Sequence, residues 1–150
     1  FKEIIKDLGF SYAFGQHSGV IDDSKDLLEL PRFPINEKYG ELSRFKTLMK
    51  TLPLKYEKIT PEDMYLMQSK NPPNVKIFFK ENIDNLEKIT CFSNEGDNWG
   101  NPNISVNENN VMKISFREKF TFRRGRLNCS LNENGKWKWF GHQFTVQIPK

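Results

Sequence analysis

Asn134-Gly135, flanked on both sides by runs of alternating apolar and polar residues, constrains this chain more than any other feature. A two-residue hairpin turn holds both central residues at positive φ, which Asn and Gly accept most readily. Before the turn, Leu127, Cys129 and Leu131 alternate with Asn128 and Ser130. After it, Trp137 and Trp139 alternate with Lys136 and Lys138, and Phe144 and Val146 continue an apolar face. A period of two sets such side chains on one side of a sheet. Residues 126–146 are therefore read as the hairpin at the centre of an all-β domain.

The chain before the hairpin supplies further short β-like runs at residues 75–79, 86–92, 111–116 and 120–122, with the hairpin's own at 127–131, 137–140 and 144–148. Clusters of Asn, Gly, Asp and Glu separate them. Strands this short at this spacing predict a sandwich. The Asn-rich residues 94–110 read as one or two loops about a short strand at 104–106. Residues 53–73 carry four prolines, Pro53, Pro61, Pro72 and Pro73, and mark a boundary, with an edge-strand candidate at 56–59. The predicted division is 1–53 and 54–150.

With 150 residues, the chain suits one ordinary domain or a small domain with an appendage. Thirteen Phe and three Trp can build a sizeable core although only 37% of residues are hydrophobic. No apolar run approaches the length of a membrane span, and the start carries no export signal pattern. The chain begins at Phe1 in helix-like sequence, and the expectation is a processed, excised or partial polypeptide. The net charge of +4 comes from cations interspersed with anions. The one tight basic cluster, Arg123, Arg124 and Arg126, reads as a solvated strand end or turn. Nucleic-acid binding asks for a longer basic stripe and a recognisable module, and the chain has neither.

The two cysteines, Cys91 and Cys129, each sit in an alternating apolar run and are expected to face inward. On separate strands of one small sheet they could form a disulfide if their Cα atoms lie within about 7 Å. The alternative is a pair of buried free thiols acting as small hydrophobes.

The N-terminal third has a different texture. Phe1, Ile4, Ile5 and Leu8 form the stripe of a helix, and Gly9 falls where a helix C-terminus favours the left-handed region. Residues 10–14 predict a strand and 15–19 a polar loop. Helix, glycine, strand and loop make one step of an α/β fold. Such a step alone cannot bury both faces of its strand, so it reads as the end of something larger. Pro31 and Pro34 exclude a helix or central strand at 30–35 and predict an extended edge segment. Residues 40–52 are a second helix candidate with a Leu42, Phe45, Leu48, Met49 stripe, ended by Pro53.

Residues that could carry chemistry are few. The two histidines, His17 and His142, are far apart, and no His-x-x-x-His or Cys-x-x-Cys occurs, so a metal site lacks its usual ligands. Asp22-Asp23 reads as the start of a helix rather than an acid–base pair. Gly15, Gln16, His17 and Ser18 follow the first strand, where sites form in parallel barrels. They either line a cleft or belong to a plain surface loop. Arg32 aims a cation at a carboxylate or makes a strand-edge ion pair. Trp137 and Trp139 either stack on sugar rings or close the sandwich core, and Trp99, in a Gly- and Asn-rich loop, is the better exposed platform.

These pieces together resemble a known family. The stretches LGFSYAFGQHSGVID and LPRFPINEKYGELSRF resemble the end of the catalytic domain of NodB-type polysaccharide deacetylases. From Pro61 onward, ITCF and RLNCSLNENGKWKWFGHQF look like the β-sandwich that follows it in some bacterial members. The resemblance implies a deformed (β/α) barrel that hydrolyses N-acetyl groups of an acetylated polysaccharide with a divalent metal such as zinc. It implies an Asp and two His as metal ligands and a second Asp as base. The paired-Asp and His-x-x-x-His motifs have no counterpart in these residues, so no catalytic or metal residue carries over, and no cofactor is expected in this chain itself. Gly15, Gln16, His17, Ser18 and Arg32 fall on late-barrel loops near the cleft.

The expected fold class is thus α+β: a mainly antiparallel β-sandwich preceded by an α/β piece resembling the end of a deformed barrel. The expected function is that of the C-terminal part of a deacetylase at the cell envelope, periplasmic or secreted. Its partners would be an acetylated polysaccharide and the upstream part of the barrel, with no nucleic acid and no transmembrane segment. The alternative is a stand-alone sandwich that binds glycan or protein.

Overall fold

The turn at Asn134-Gly135 closes with φ of +51° and +82°, and Gly135 N–H donates to Asn132 Oδ1 at 2.9 Å. Those paired positive values are the ones that match the twist of the flanking strands. The computed structural model describes residues 2–79, 85–96, 98–107 and 109–147. In chain order it contains α1 (Lys2–Asp7), α2 (Leu42–Leu48), β1 (Leu52–Pro53), β2 (Lys58–Thr60), β3 (Tyr65–Leu66) and β4 (Asn74–Phe78). There follow β5 (Thr90–Ser93), β6 (Asn103–Val106), β7 (Val111–Ser115), β8 (Arg124–Glu133) and β9 (Lys136–Val146), with 3₁₀ turns at Gln68–Lys70 and Leu86–Lys88.

The fold is mixed α+β and mostly β, with two mainly antiparallel sheets. One sheet has the order β2-β4-β7-β6. The other runs β1-β9-β8-β5, and β3 joins β9 as well. Both β1 and β3 pair parallel to β9, at Leu52↔Lys138 and Leu66↔Val146, so they lie end to end along one edge of that strand. Val75 and Ile77 of β4, Met112 and Ile114 of β7, Leu127, Cys129 and Leu131 of β8, and Phe140 and Phe144 of β9 share one buried core. Burying each such Phe contributes about 1.5–3 kcal/mol. Cys91 stands directly opposite Cys129 in the β5–β8 ladder, and the two form a disulfide with a Cα–Cα distance of 4.1 Å.

Strand parity corrects one expectation. The β8–β9 ladder runs unbroken from Arg124↔Thr145 to Glu133↔Lys136. Without a bulge, odd and even residues of β9 must face opposite ways. Phe140, His142, Phe144 and Val146 turn inward and are buried. Trp137 and Trp139 therefore stand on the outer face, away from Phe144 and Val146, and do not close the core. The runs at 137–140 and 144–148 are one strand, and Ile148 lies outside the described residues.

Other boundaries also shift. Leu86–Lys88 form a 3₁₀ turn before β5, and 120–122 contribute only a bridge from Phe120 to Gly96. The predicted strand at 10–14 reduces to a parallel bridge, Phe14↔Leu30. Helix α1 ends as its Gly9 predicts, with φ of +83° and bonds from Gly9 N–H to Lys6 and from Phe10 N–H to Ile5. Its stripe does not pack: Ile4 and Leu8 are exposed, and Phe1 lies outside the described residues. Helix α2 is shorter than 40–52, and Leu42, Phe45 and Met49 of its stripe are exposed as well. The apolar period of both short helices is real, but among the described residues only Ile5 and Leu48 of the two stripes are even half-buried.

Candidate functional site

The outer face of β8 and β9 presents Arg126, Asn128, Trp139, Gly141 and Gln143, the residues between the core-facing positions. The N-terminal segment lies across it. Ala13 and Gly15 hydrogen-bond with Leu27 and Leu30, which leaves residues 15–19 as a loop on β9. Arg32 staples this loop from behind: its backbone N–H donates to His17 O at 3.1 Å and its Nε to Gly15 O at 3.1 Å. Only a glycine fits beneath it, because a Cβ on Gly141 would overlap the Ser18 carbonyl oxygen.

A groove of about 550 Å³ opens where this segment meets the sheet. Gln16, Ser18 and Arg32 line it from the loop side, Tyr39 and Arg44 from the segment around α2, and Phe92, Trp99, Arg126, Asn128 and Trp139 from the sheet side. Five of the sequence candidates meet here: Gln16, Ser18, Arg32, Trp99 and Trp139. Trp99 is 47% exposed and offers an open ring face, whereas Trp139 is half-buried and braced edge-on by Phe33 at 5.5 Å. Trp137 lies outside this groove, with Lys46, Thr47 and Lys50 of the α2 region. A cleft of about 650 Å³ bordered by Pro61, Pro72 and Pro73 is larger, but none of the candidates lines it.

The polar groups of the groove are unevenly satisfied. Arg44 Nη1 donates to the Pro34 and Tyr39 carbonyls, and its guanidinium lies over the Tyr39 ring at 5.2 Å. Burial, with Arg124 nearby, pushes the Arg126 guanidinium below its usual range. Arg126 Nε and Trp139 Nε1 are buried donors without a partner. Among the described residues Arg32, Arg44 and Arg126 form no ion pair, and no carboxylate lines the groove. Arg32 thus makes no strand-edge ion pair among the described residues; it holds a loop and shows its charge to the groove.

Gly15 does not line the groove, and neither does His17. His17 is 9% exposed, not a surface loop residue, and shares a small pocket with His142, Lys25, Asp26, Glu29 and Tyr56. Burial pushes His17 below the usual histidine range, and burial with His17 alongside pushes His142 down to about 4. His17 Nδ1 and His142 Nε2 have no partner, but two imidazoles do not make a metal centre. The nearby Asp26 and Glu29 are taken by Lys2 at 2.8 and 2.5 Å. No group of three or more His, Cys, Asp or Glu able to hold a metal occurs among the described residues. The divalent metal implied by the family resemblance therefore does not fit the residues present here. The buried Glu95 is no free acid either, since it accepts from Ser93 Oγ and from the Arg117 and Glu118 N–H groups.

Sequence reasoning missed Tyr39, Arg44, Phe92, Arg126 and Asn128 as lining residues. Arg126 and Asn128 carried a signal, because they alternate with the inward Leu127 and Cys129 and so had to face out. That a segment about a hundred residues earlier covers that face had no local signature. Comparison with protein-family models, with characterised proteins and with solved structures finds no match to this chain.

Proposed function

We propose that this chain is the C-terminal part of a NodB-type polysaccharide deacetylase, an α/β piece from the end of a deformed barrel joined to a β-sandwich. The parent hydrolyses N-acetyl groups of a glycan, with metal ligands and base supplied by upstream sequence. This chain contributes a wall of the glycan cleft. The observation that carries the reading is the convergence of Gln16, Ser18 and Arg32, from the stretches resembling late-barrel loops, with exposed Trp99 along one groove. Aromatic faces beside hydrogen-bonding side chains are a common way to hold a polar ring.

The N-terminal surface supports the same reading. Ile4, Leu8, Phe10, Tyr12 and Phe14 are all more than half exposed, a run of apolar side chains suited to packing against the rest of a barrel. The disulfide fits an oxidising compartment such as the periplasm or cell exterior. Among the described residues no helix is long and apolar enough to cross a membrane.

The test is the reading frame upstream of residue 1. An Asp-Asp pair and a His-x-x-x-His motif there, with acetate release from an N-acetylglucosamine hexamer by the extended protein and added metal, is the expected result. A start codon or stop immediately upstream overturns it. The second reading, a stand-alone module that binds glycan, draws on the groove having all its walls within this chain. Under it, the 150-residue chain binds sugar oligomers by itself and Trp99→Ala abolishes binding.

A further inference from the structure

The groove carries three cations and no anion, and this asymmetry says more about its ligand than the aromatic platform does. Arg32, Arg44 and Arg126 reach it from three separate parts of the chain. Around the rest of the molecule, Lys2, Lys25, Lys55, Lys58, Arg117 and Lys138 each pair with a carboxylate. The three groove arginines do not, and neither do cations such as Lys6, Lys50, Lys76 and Lys113. What sets the groove apart is that three unpaired cations meet in one cavity with no carboxylate in its lining. The other lining residues are neutral: Gln16, Ser18, Asn36 and Asn128 with aromatic and proline side chains.

A concave wall of low dielectric concentrates the field of uncompensated charges inside it. A guanidinium also presents donors in a planar fork matched to carboxylate or phosphate oxygens. Arg126 is the most telling of the three. It is partly desolvated beside Arg124, yet its buried Nε has no acceptor, and neither has Trp139 Nε1 on the neighbouring strand. Leaving such donors unpaired is costly. A neutral sugar offers hydroxyls to these donors but nothing to balance the charge.

We propose that the groove binds an anionic glycan, a sugar chain bearing carboxylate or phosphate groups, with a ring on Trp99 and the acidic groups among Arg32, Arg44 and Arg126. The proposal rests on the glycan reading given above and narrows its substrate class. Arg44, already held by two carbonyls, supplies charge. Arg126, which lines the groove from β8, presents the outer nitrogens of its guanidinium to the ligand.

The experiment is calorimetric titration of the 150-residue chain with four probes: a galacturonate hexamer, a phosphate-linked hexose polymer, a neutral N-acetylglucosamine hexamer and inorganic phosphate. At low salt an acidic polymer is expected to bind about tenfold or more tightly than the neutral hexamer, the gap narrowing at about 0.15 M salt. Whichever acidic polymer binds better identifies carboxylate or phosphate as the anion. Arg126→Gln is expected to remove most of the preference, and Trp99→Ala to weaken acidic and neutral oligomers alike. Unchanged melting of each variant separates lost contact from lost fold, and if Arg126→Gln unfolds, Arg32→Gln takes its place. Equal binding of acidic and neutral hexamers overturns the anionic proposal and leaves the glycan reading standing. Binding of no oligomer overturns the proposal and removes the groove as support for that reading. Phosphate binding as tightly as the polymers would show a simple anion site and overturn the proposal.

Discussion

His142 shows how much one buried side chain can report. Its imidazole titrates near 6.5 in an unfolded chain and near about 4 in the folded one. Between those values the unfolded state holds a proton that the folded state refuses, so stability must rise with pH across that window. It is full above about pH 6.5 and falls by about 3 kcal/mol as the pH drops to about 4. His17, lowered by the same burial, acts in the same direction. Asp26, held low by its hydrogen bond from Lys2, loses its contribution only in more acidic solution. Urea unfolding at several pH values should show this slope, and His142→Phe should remove most of it. An unchanged slope in the variant would place the proton uptake elsewhere. The structure places His142 with Phe140 and Phe144 on an inward face, and the sequence marked it only as one of two distant histidines. The sequence could not show that His17, 125 positions earlier in the same numbering, would be its neighbour.

The β8–β9 hairpin was legible as an element because its signals are local: a turn dipeptide that tolerates positive φ and a period of two on either arm. Its one misreading was also local. Trp137 and Trp139 differ in parity from Phe144 and Val146, and only an unbroken ladder makes parity decisive. Helices α1 and α2 were legible as periodic stripes, but periodicity says which side chains share a face and not whether anything packs on it. The β5–β8 pair was half legible. Both cysteines were expected inward, and the choice between disulfide and free thiols needed the register that sets Cys91 opposite Cys129. Closing a loop across 38 positions should stabilise the fold by about 2–4 kcal/mol. Reductant is therefore expected to lower the urea midpoint of the native chain. The Cys91→Ala/Cys129→Ala variant should start from that lower midpoint and ignore reductant. A native midpoint indifferent to reductant would mean the crosslink contributes nothing to stability.

Across the whole molecule, the outer face of one sheet is covered by the N-terminal segment, while several apolar side chains at the start of that segment point to solvent. Ile4, Leu8, Phe10, Tyr12 and Phe14 form an uncovered apolar run of a kind that monomers rarely leave open. The isolated chain is therefore expected to self-associate as its concentration rises, by analytical ultracentrifugation. Phe10→Ser with Phe14→Ser should return it to a monomer while leaving groove binding intact. A native chain monomeric at every concentration would refute that use of the surface. The β domain, the hairpin at its centre and the inward cysteines follow from residue order alone, because turn chemistry and strand alternation act between near neighbours. The groove does not. Its charge comes from Arg32, Arg44 and Arg126, and its platform from Trp99, brought together only when residues 15–44 fold across β8 and β9. Such contacts between distant segments leave no period in the chain, so packing alone decided where the site would be.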